Sequence, residues 1–176
     1  MILSKAEILK AVREKRIVIT PFSPKNVGPC SVDFSLGNEF RVFDGAVLGP
    51  LHAFDEKLLG KELERRTRVV RLGGGDFLNV APGELVLGVT KERLRLSKDL
   101  MGKLEGRSRF ARIGLFVHVS ASLIQPGVDN VQVLEIFNAS PYEIRLRPGM
   151  RVCQVVFSEL RGEAEYSGEY KKQLRV

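Results

Sequence analysis

Along most of the chain, apolar and polar residues alternate in short runs, and the exception lies at the start. Ile8, Leu9 and Val12 recur at helical spacing behind Ser4 and Glu7, a serine followed three positions later by an acid. That pattern predicts an N-terminal helix reaching Lys15 and opened by a capping box. After it come RIVIT, SVDFSLG, EFRVF, FLNVA, ELVLGVT, LRLS, LFVHVSA, VQVLEIFN, YEIRLR and RVCQVVFSEL, most of them closed by Gly, Pro, Asn or Asp. Short alternating runs between turn signals predict a mainly β fold, a sandwich or barrel behind one helix. APGE at Ala81 to Glu84 and RPGM at Arg147 to Met150 predict turns that lead into strands. Leu51 to Asp76, with KELERRTRVVRLGGGD, breaks the rhythm and reads as an excursion or a long hairpin with a tip at Gly73 to Gly75.

The chain has 176 residues, 44% hydrophobic and 28% charged. That suffices for one good core and predicts a single domain over residues 1–176. No run approaches the roughly 18 apolar residues of a membrane span, and MILSKAEILKAVREK is too charged for a signal peptide, so the expectation is an intracellular, cytoplasmic protein without a membrane partner. Cys30 and Cys153 sit in apolar sequence surroundings and read as reduced, packed thiols. The net charge of +7 calls for an anionic partner. No aromatic nucleic-acid platform, zinc-finger spacing or long basic helix accompanies it, which favours a nucleotide or phosphorylated metabolite over nucleic acid.

Elimination narrows the chemistry. His52 and His118 are the only histidines, and neither HxE nor CxxC spacing occurs, which argues against a zinc site. No GxSxG, GxxxxGK[ST] or GxGxxG pattern is present. What remains is a carboxylate beside arginines. LEGRSRFARIG, Leu104 to Gly114, gathers Arg107, Arg109 and Arg112 around Ser108. Alone, such a cluster reads as a solvated turn. Glu135 lies among Val133, Leu134, Ile136 and Phe137. A carboxylate there is desolvated, which raises its pKa toward that of a proton shuttle unless a cation offsets it; a structural ion pair with an arginine is the equal alternative.

LEGRSRFARIGLFVHVSASLIQPG, VLEIFN, LRPGMRVCQVVFSEL and EYSGEYKKQ, in that order and spacing, resemble the motifs of the dCTP deaminases, members of the trimeric dUTPase superfamily. SVDFSLGNEFRVF and APGELVLGVTKERLRLSKDLMGKLEGRS are similar to that family's upstream segments, with residues 51–76 divergent. The resemblance implies a distorted jelly-roll or β-barrel of the dUTPase-like type and a homotrimer with active sites at the subunit interfaces. It implies zinc-independent hydrolysis of dCTP to dUTP and ammonia, with magnesium carried on the triphosphate, supplying dUTP for dUMP and thymidylate synthesis. Inhibition by dTTP is a family habit.

By resemblance, Glu135 is the catalytic proton shuttle, Ser108 and the backbone around Ser120 and Ala121 position the attacking water, and Arg112 orients Glu135. Arg107, Ser108, Arg109, Phe110, Ala111 and Arg112 fall on the family's phosphate-binding turn. Ala121, Gln125, Val133, Leu134, Glu135, Gln154, Tyr166 and Gln173 fall where the family contacts base, sugar or phosphates. Residues 161–176 match a mobile tail that closes over bound nucleotide.

Three positions depart from the family pattern. Gln125 stands where an aspartate is usual, and an amide cannot activate water against phosphate, so dUTP is expected to leave uncleaved. Glu169 replaces a tail lysine. Arg109 replaces the second serine of the phosphate turn. The alternatives are a dUTPase or a dUMP-forming deaminase, which Gln125 opposes, and a non-catalytic nucleotide-binding homologue, which the joint presence of Glu135, Ser108 and Arg112 opposes.

Overall fold

A computed structural model describes residues 1–45, 49–51, 53 and 56–176, with the side chains of 56 and 57 excepted. His52 lies outside the described residues. In chain order the elements are α1 (Lys5–Arg13), β1 (Ile17–Thr20), β2 (Val32–Phe34), β3 (Leu36–Phe43), α2 (Glu56–Arg65), β4 (Thr67–Arg71), β5 (Leu78–Val80), β6 (Leu85–Leu96), β7 (Leu100–Gly106), α3 (Ser108–Ala111), β8 (Leu115–Phe116), β9 (Leu123–Ile124), β10 (Asp129–Asn138), β11 (Ile144–Leu146) and β12 (Cys153–Glu159). Short 3-10 turns occupy Pro24–Asn26 and Glu169–Lys172.

Strand β6 organises the larger sheet. One edge carries β10, from Asp129 opposite Arg95 to Phe137 opposite Leu85, and the other is shared by β1 and β3. The order β4-β3-β6-β10-β8 completes six strands with β1. A second sheet runs β2-β12-β7-β9, and β11 pairs with β5 as a ribbon. All these pairings are antiparallel, and neither sheet closes on itself. Phe34, Leu104, Val155 and Phe157 from the smaller sheet share one core with Phe40, Leu94, Leu134 and Ile136 from the larger. Each fully buried Phe or Leu there contributes about 2 kcal/mol by leaving water. The architecture is therefore mainly β with an N-terminal helix, a sandwich of the jelly-roll kind.

Helix α1 forms where the periodicity places it and buries Ile8 and Ala11. Ser4 sits at its N-cap, but the serine side chain makes no capping hydrogen bond; only its carbonyl accepts from the Ile8 N–H. ELVLGVT and LRLS, two runs in the sequence, form the single strand β6. Lys91 and Glu92 do not break it: the Lys91 N–H donates to the Ser35 carbonyl, and the buried Glu92 carboxylate accepts from the Ser35 N–H at 2.7 Å. The divergent segment contains helix α2 and strand β4 rather than a long hairpin. Glu62 pairs with both Arg65 and Arg66, and the largely buried Arg66 guanidinium also caps the carbonyls of Gly49 and Pro50.

Both cysteines are free. Cys153 is packed, with burial pushing its thiol pKa up. Cys30 is exposed on a bend, unlike the packed thiol expected from its apolar neighbours. No helix among the described residues is long and apolar enough to cross a membrane.

Candidate active site

Alternation along β10 sends Leu134, Ile136 and Asn138 into the core and leaves Val133, Glu135 and Phe137 half-buried on the opposite face. Glu135 is therefore carried by a strand whose inner face is locked. Its Oε2 accepts three backbone hydrogen bonds, from the N–H groups of Val119 at 2.7 Å, Ser120 at 2.9 Å and Ala121 at 3.3 Å. Oε1 accepts none from any described residue. LFVHVSA does not continue as a strand: β8 ends at Phe116, and from Val119 to Ala121 the amides serve the Glu135 side chain instead of a ladder.

Burial by itself pushes the Glu135 carboxyl up. The amides of Ser120, Val119 and Ala121, with a contribution from the charge of His118, outweigh it and hold the carboxyl below its ordinary value. The offset foreseen from an arginine thus comes from the backbone, and the net direction is down. Arg112 makes no hydrogen bond or ion pair with Glu135.

The remaining candidate residues fall into two clefts. The first, about 520 Å³, is lined by Arg107, Ser108, Arg109, Arg112 and Gln154 together with Ser31 and Asp33. Helix α3 starts immediately after β7, and Gly114, at φ +81°, turns the chain into β8; a Cβ there would meet the Ser140 backbone nitrogen at 2.8 Å. Ser108, Arg109 and Arg112 are exposed, and their side chains have no partner among the described residues. Arg107 is different: it pairs with Asp33 at 3.1 Å and donates to the Arg151 carbonyl at 2.8 Å. Gln154 accepts from the Ser31 hydroxyl at 2.7 Å and donates to the Gly106 carbonyl at 3.1 Å. Phe110 packs against the core and Ala111 is exposed.

The second cleft, about 260 Å³, brings together Gln125, Val133, Tyr166 and Gln173 with Asn130, Gln132 and Tyr170. Its polar side chains are carboxamides and phenols, with no carboxylate among its lining residues. A bulge interrupts β10 between Val131 and Val133, and on the edge away from β6 the Val131 N–H donates to the Gln173 carbonyl at 3.0 Å. The Asn130 side chain donates to the Tyr170 carbonyl at 2.7 Å, so residues 170–173 lie along β10. Upstream, Lys171 at 2.6 Å and Lys98 at 2.5 Å flank Glu165 and bring its carboxyl down to about 2. Glu169 is exposed.

No residue lines both clefts, and Glu135 lines neither, although it follows Val133 along the same strand face. The Leu134 side chain is fully buried, which leaves only its backbone for a ligand. Sequence reasoning missed Ser31 and Asp33 in the first cleft and Asn130, Gln132 and Tyr170 in the second. Period-two alternation in SVDFSLG was the available signal for Asp33, since it places that carboxylate on the polar face of β2. Among the described residues no group of three His, Cys, Asp or Glu side chains is placed to hold a metal ion.

A family model described as dCTP deaminase-like matches residues 2–160. The dCTP deaminase of Rhodospirillum rubrum is 38% identical, over 99% of this chain and 93% of that protein. The dUMP-forming dCTP deaminase of Pseudarthrobacter chlorophenolicus is 35% identical, over 97% of this chain and 87% of its own length. In fold, the chain is similar to the crystal structure of 2'-deoxycytidine 5'-triphosphate deaminase from Agrobacterium tumefaciens, with a TM-score of 0.66 at 22% identity over 89% of this chain. This chain spans 47% of that one.

Proposed function

The chain belongs to the dCTP deaminase-like family, and we propose on that premise that it hydrolyses the 4-amino group of dCTP to give dUTP and ammonia. The observation that carries the mechanism is the asymmetry of Glu135, whose Oε2 is anchored by three amides while Oε1 is free. Held below its ordinary pKa, the carboxylate is ionised at neutral pH and ready to accept a proton. Oε1 takes a proton from water as the water oxygen attacks C4, and the same proton passes to the ring nitrogen N3. The tetrahedral centre then loses its amino group as ammonia, the hydroxyl proton travelling through Glu135 to the leaving nitrogen. The amides fix the carboxylate before the reaction, so no reorganisation is needed during it.

The triphosphate belongs in the arginine cleft, where Arg109 and Arg112 have no counter-charge among the described residues and the guanidinium fork suits phosphate oxygens. Magnesium enters on the triphosphate as part of the substrate, because this cleft offers cations rather than a carboxylate cluster to a metal. The nucleoside belongs beside Val133 and the carboxamides of the second cleft, under Tyr166 and Gln173 of the tail. By its resemblance to a trimeric superfamily, the complete site is assembled between subunits of a homotrimer, a reading supported by the separation of the two clefts on one chain. Ile113, Phe116, Val119 and Leu123, each more than half exposed, supply an apolar surface for that assembly.

The product is dUTP rather than dUMP, in contrast to what the dUMP-forming relative makes. Gln125 offers an amide where an acid would be needed to activate water against phosphate, and no carboxylate is among the described residues that line the second cleft. Incubation with dCTP and magnesium, followed by ion-exchange separation of the nucleotides, tests both statements. Accumulating dUTP supports them. Appearance of dUMP would contradict the reading of Gln125, and unchanged dCTP would reduce the protein to a nucleotide binder.

A further inference from the structure

The arginine cleft contains one carboxylate, and its position is unexpected on electrostatic grounds. Asp33 lines the same wall as Arg107, Arg109 and Arg112, where a negative charge opposes the phosphate that the cleft would receive. Its Oδ2 pairs with Arg107 at 3.1 Å and with Arg151 at 3.6 Å, and its side chain is only 19% exposed. Arg107 is held on its other arm by the Arg151 carbonyl at 2.8 Å, so two of its nitrogens are fixed by protein. Strand β2 supports the arrangement, since Asp33 is flanked by buried Val32 and Phe34 and lies opposite Gln154 of β12.

Resting on the phosphate reading of this cleft, we propose that Asp33 is a positioning residue for triphosphate recognition: it locks the Arg107 guanidinium in one orientation on the cleft wall, so that the free N–H groups of Arg107 face the same anion as Arg109 and Arg112. Four arginines near one cleft repel one another and sample many rotamers. A single carboxylate between two of them offsets that repulsion and removes rotamer entropy before the ligand arrives. The cost is a residual repulsion of phosphate. The two effects predict opposite signs for removal of the charge, which makes the role testable.

The experiment is calorimetric titration of inorganic tripolyphosphate into wild type, Asp33→Asn and Asp33→Glu, with steady-state kinetics on dCTP in parallel. Positioning predicts that Asp33→Asn binds tripolyphosphate at least tenfold more weakly and raises KM for dCTP by a similar factor. It predicts kcat within about threefold of wild type, because Glu135 lies outside this cleft. Asp33→Glu, which keeps the charge but displaces it by one methylene, falls between the two and provides the test should Asp33→Asn fail to fold. Equal or tighter tripolyphosphate binding by either variant would overturn the proposal, since the carboxylate would then act only as a repulsive charge. The titration needs no turnover, so wild-type binding without deamination would sink the reaction assignment while leaving Asp33 to be judged on its own.

Discussion

Oε2 of Glu135 lies 2.7 Å from the backbone nitrogen of Val119, at the first of three amides that converge on one carboxylate oxygen. The direction of the pKa follows from that contact. Burial alone would push the carboxyl up, but backbone donors fixed by the chain stabilise the charged form more.

The pH dependence follows with a definite sign. A carboxyl whose folded pKa is depressed keeps its charge as pH falls through the ordinary glutamate value of about 4.3 and loses it only below that. The acid limb of kcat/KM for dCTP is therefore expected below the ordinary glutamate range, with activity level from pH 7 to pH 5. A limb centred at pH 6 or above would show that the amides do not control Glu135 in the free enzyme.

Asn138 ties the end of β10 to the end of β5 and to the loop that follows β10. Its side chain is fully buried; it donates to the Val80 and Tyr142 carbonyls at 2.9 and 2.7 Å and accepts from the Ser140 N–H and hydroxyl. Asn138→Ala removes these four hydrogen bonds to a buried side chain and should cost about 3 kcal/mol in urea unfolding. A loss under about 1 kcal/mol would mean that water or loop movement replaces the network.

If the two clefts complete each other across subunits, inactive chains can rescue one another. Glu135→Gln and Arg112→Ala, assayed at a dCTP concentration low enough that neither turns over alone, should regain up to about a quarter of wild-type activity when unfolded together and reassembled at equal amounts. No recovery from a properly reassembled mixture would place both groups in one chain's site.

The parts of the fold that were legible are those held by their own periodicity. Strand β10 is legible in VQVLEIFN, Val131 to Asn138, because its inward and outward positions alternate from Val133 on, although the strand begins two residues earlier at Asp129, and α1 is legible because Ile8, Leu9 and Val12 recur at helical spacing. The parts that were not legible depend on distant partners. Helix α2 is anchored by Arg66 reaching back to Gly49 and Pro50, and β6 runs through Lys91 and Glu92 because Ser35 bonds to both. Strand β8 is short, and the amides of Val119 to Ala121 beyond it serve Glu135 on another strand. The same limit applies to the candidate site. The arginine cluster is contiguous and visible, whereas Asp33 gains its place only when β2, β7 and β12 pair and bring Arg107 and Arg151 beside it.

The most direct test is single-turnover deamination of dCTP by Glu135→Gln, with nucleotide binding measured on the same preparation. The side-chain oxygen of glutamine can still accept from the Val119 to Ala121 amides, so the loop and dCTP affinity should persist within about threefold while the chemical step falls by roughly 10³ or more. Deamination within tenfold of wild type by a variant that binds dCTP normally would contradict the assignment of Glu135 as the proton shuttle.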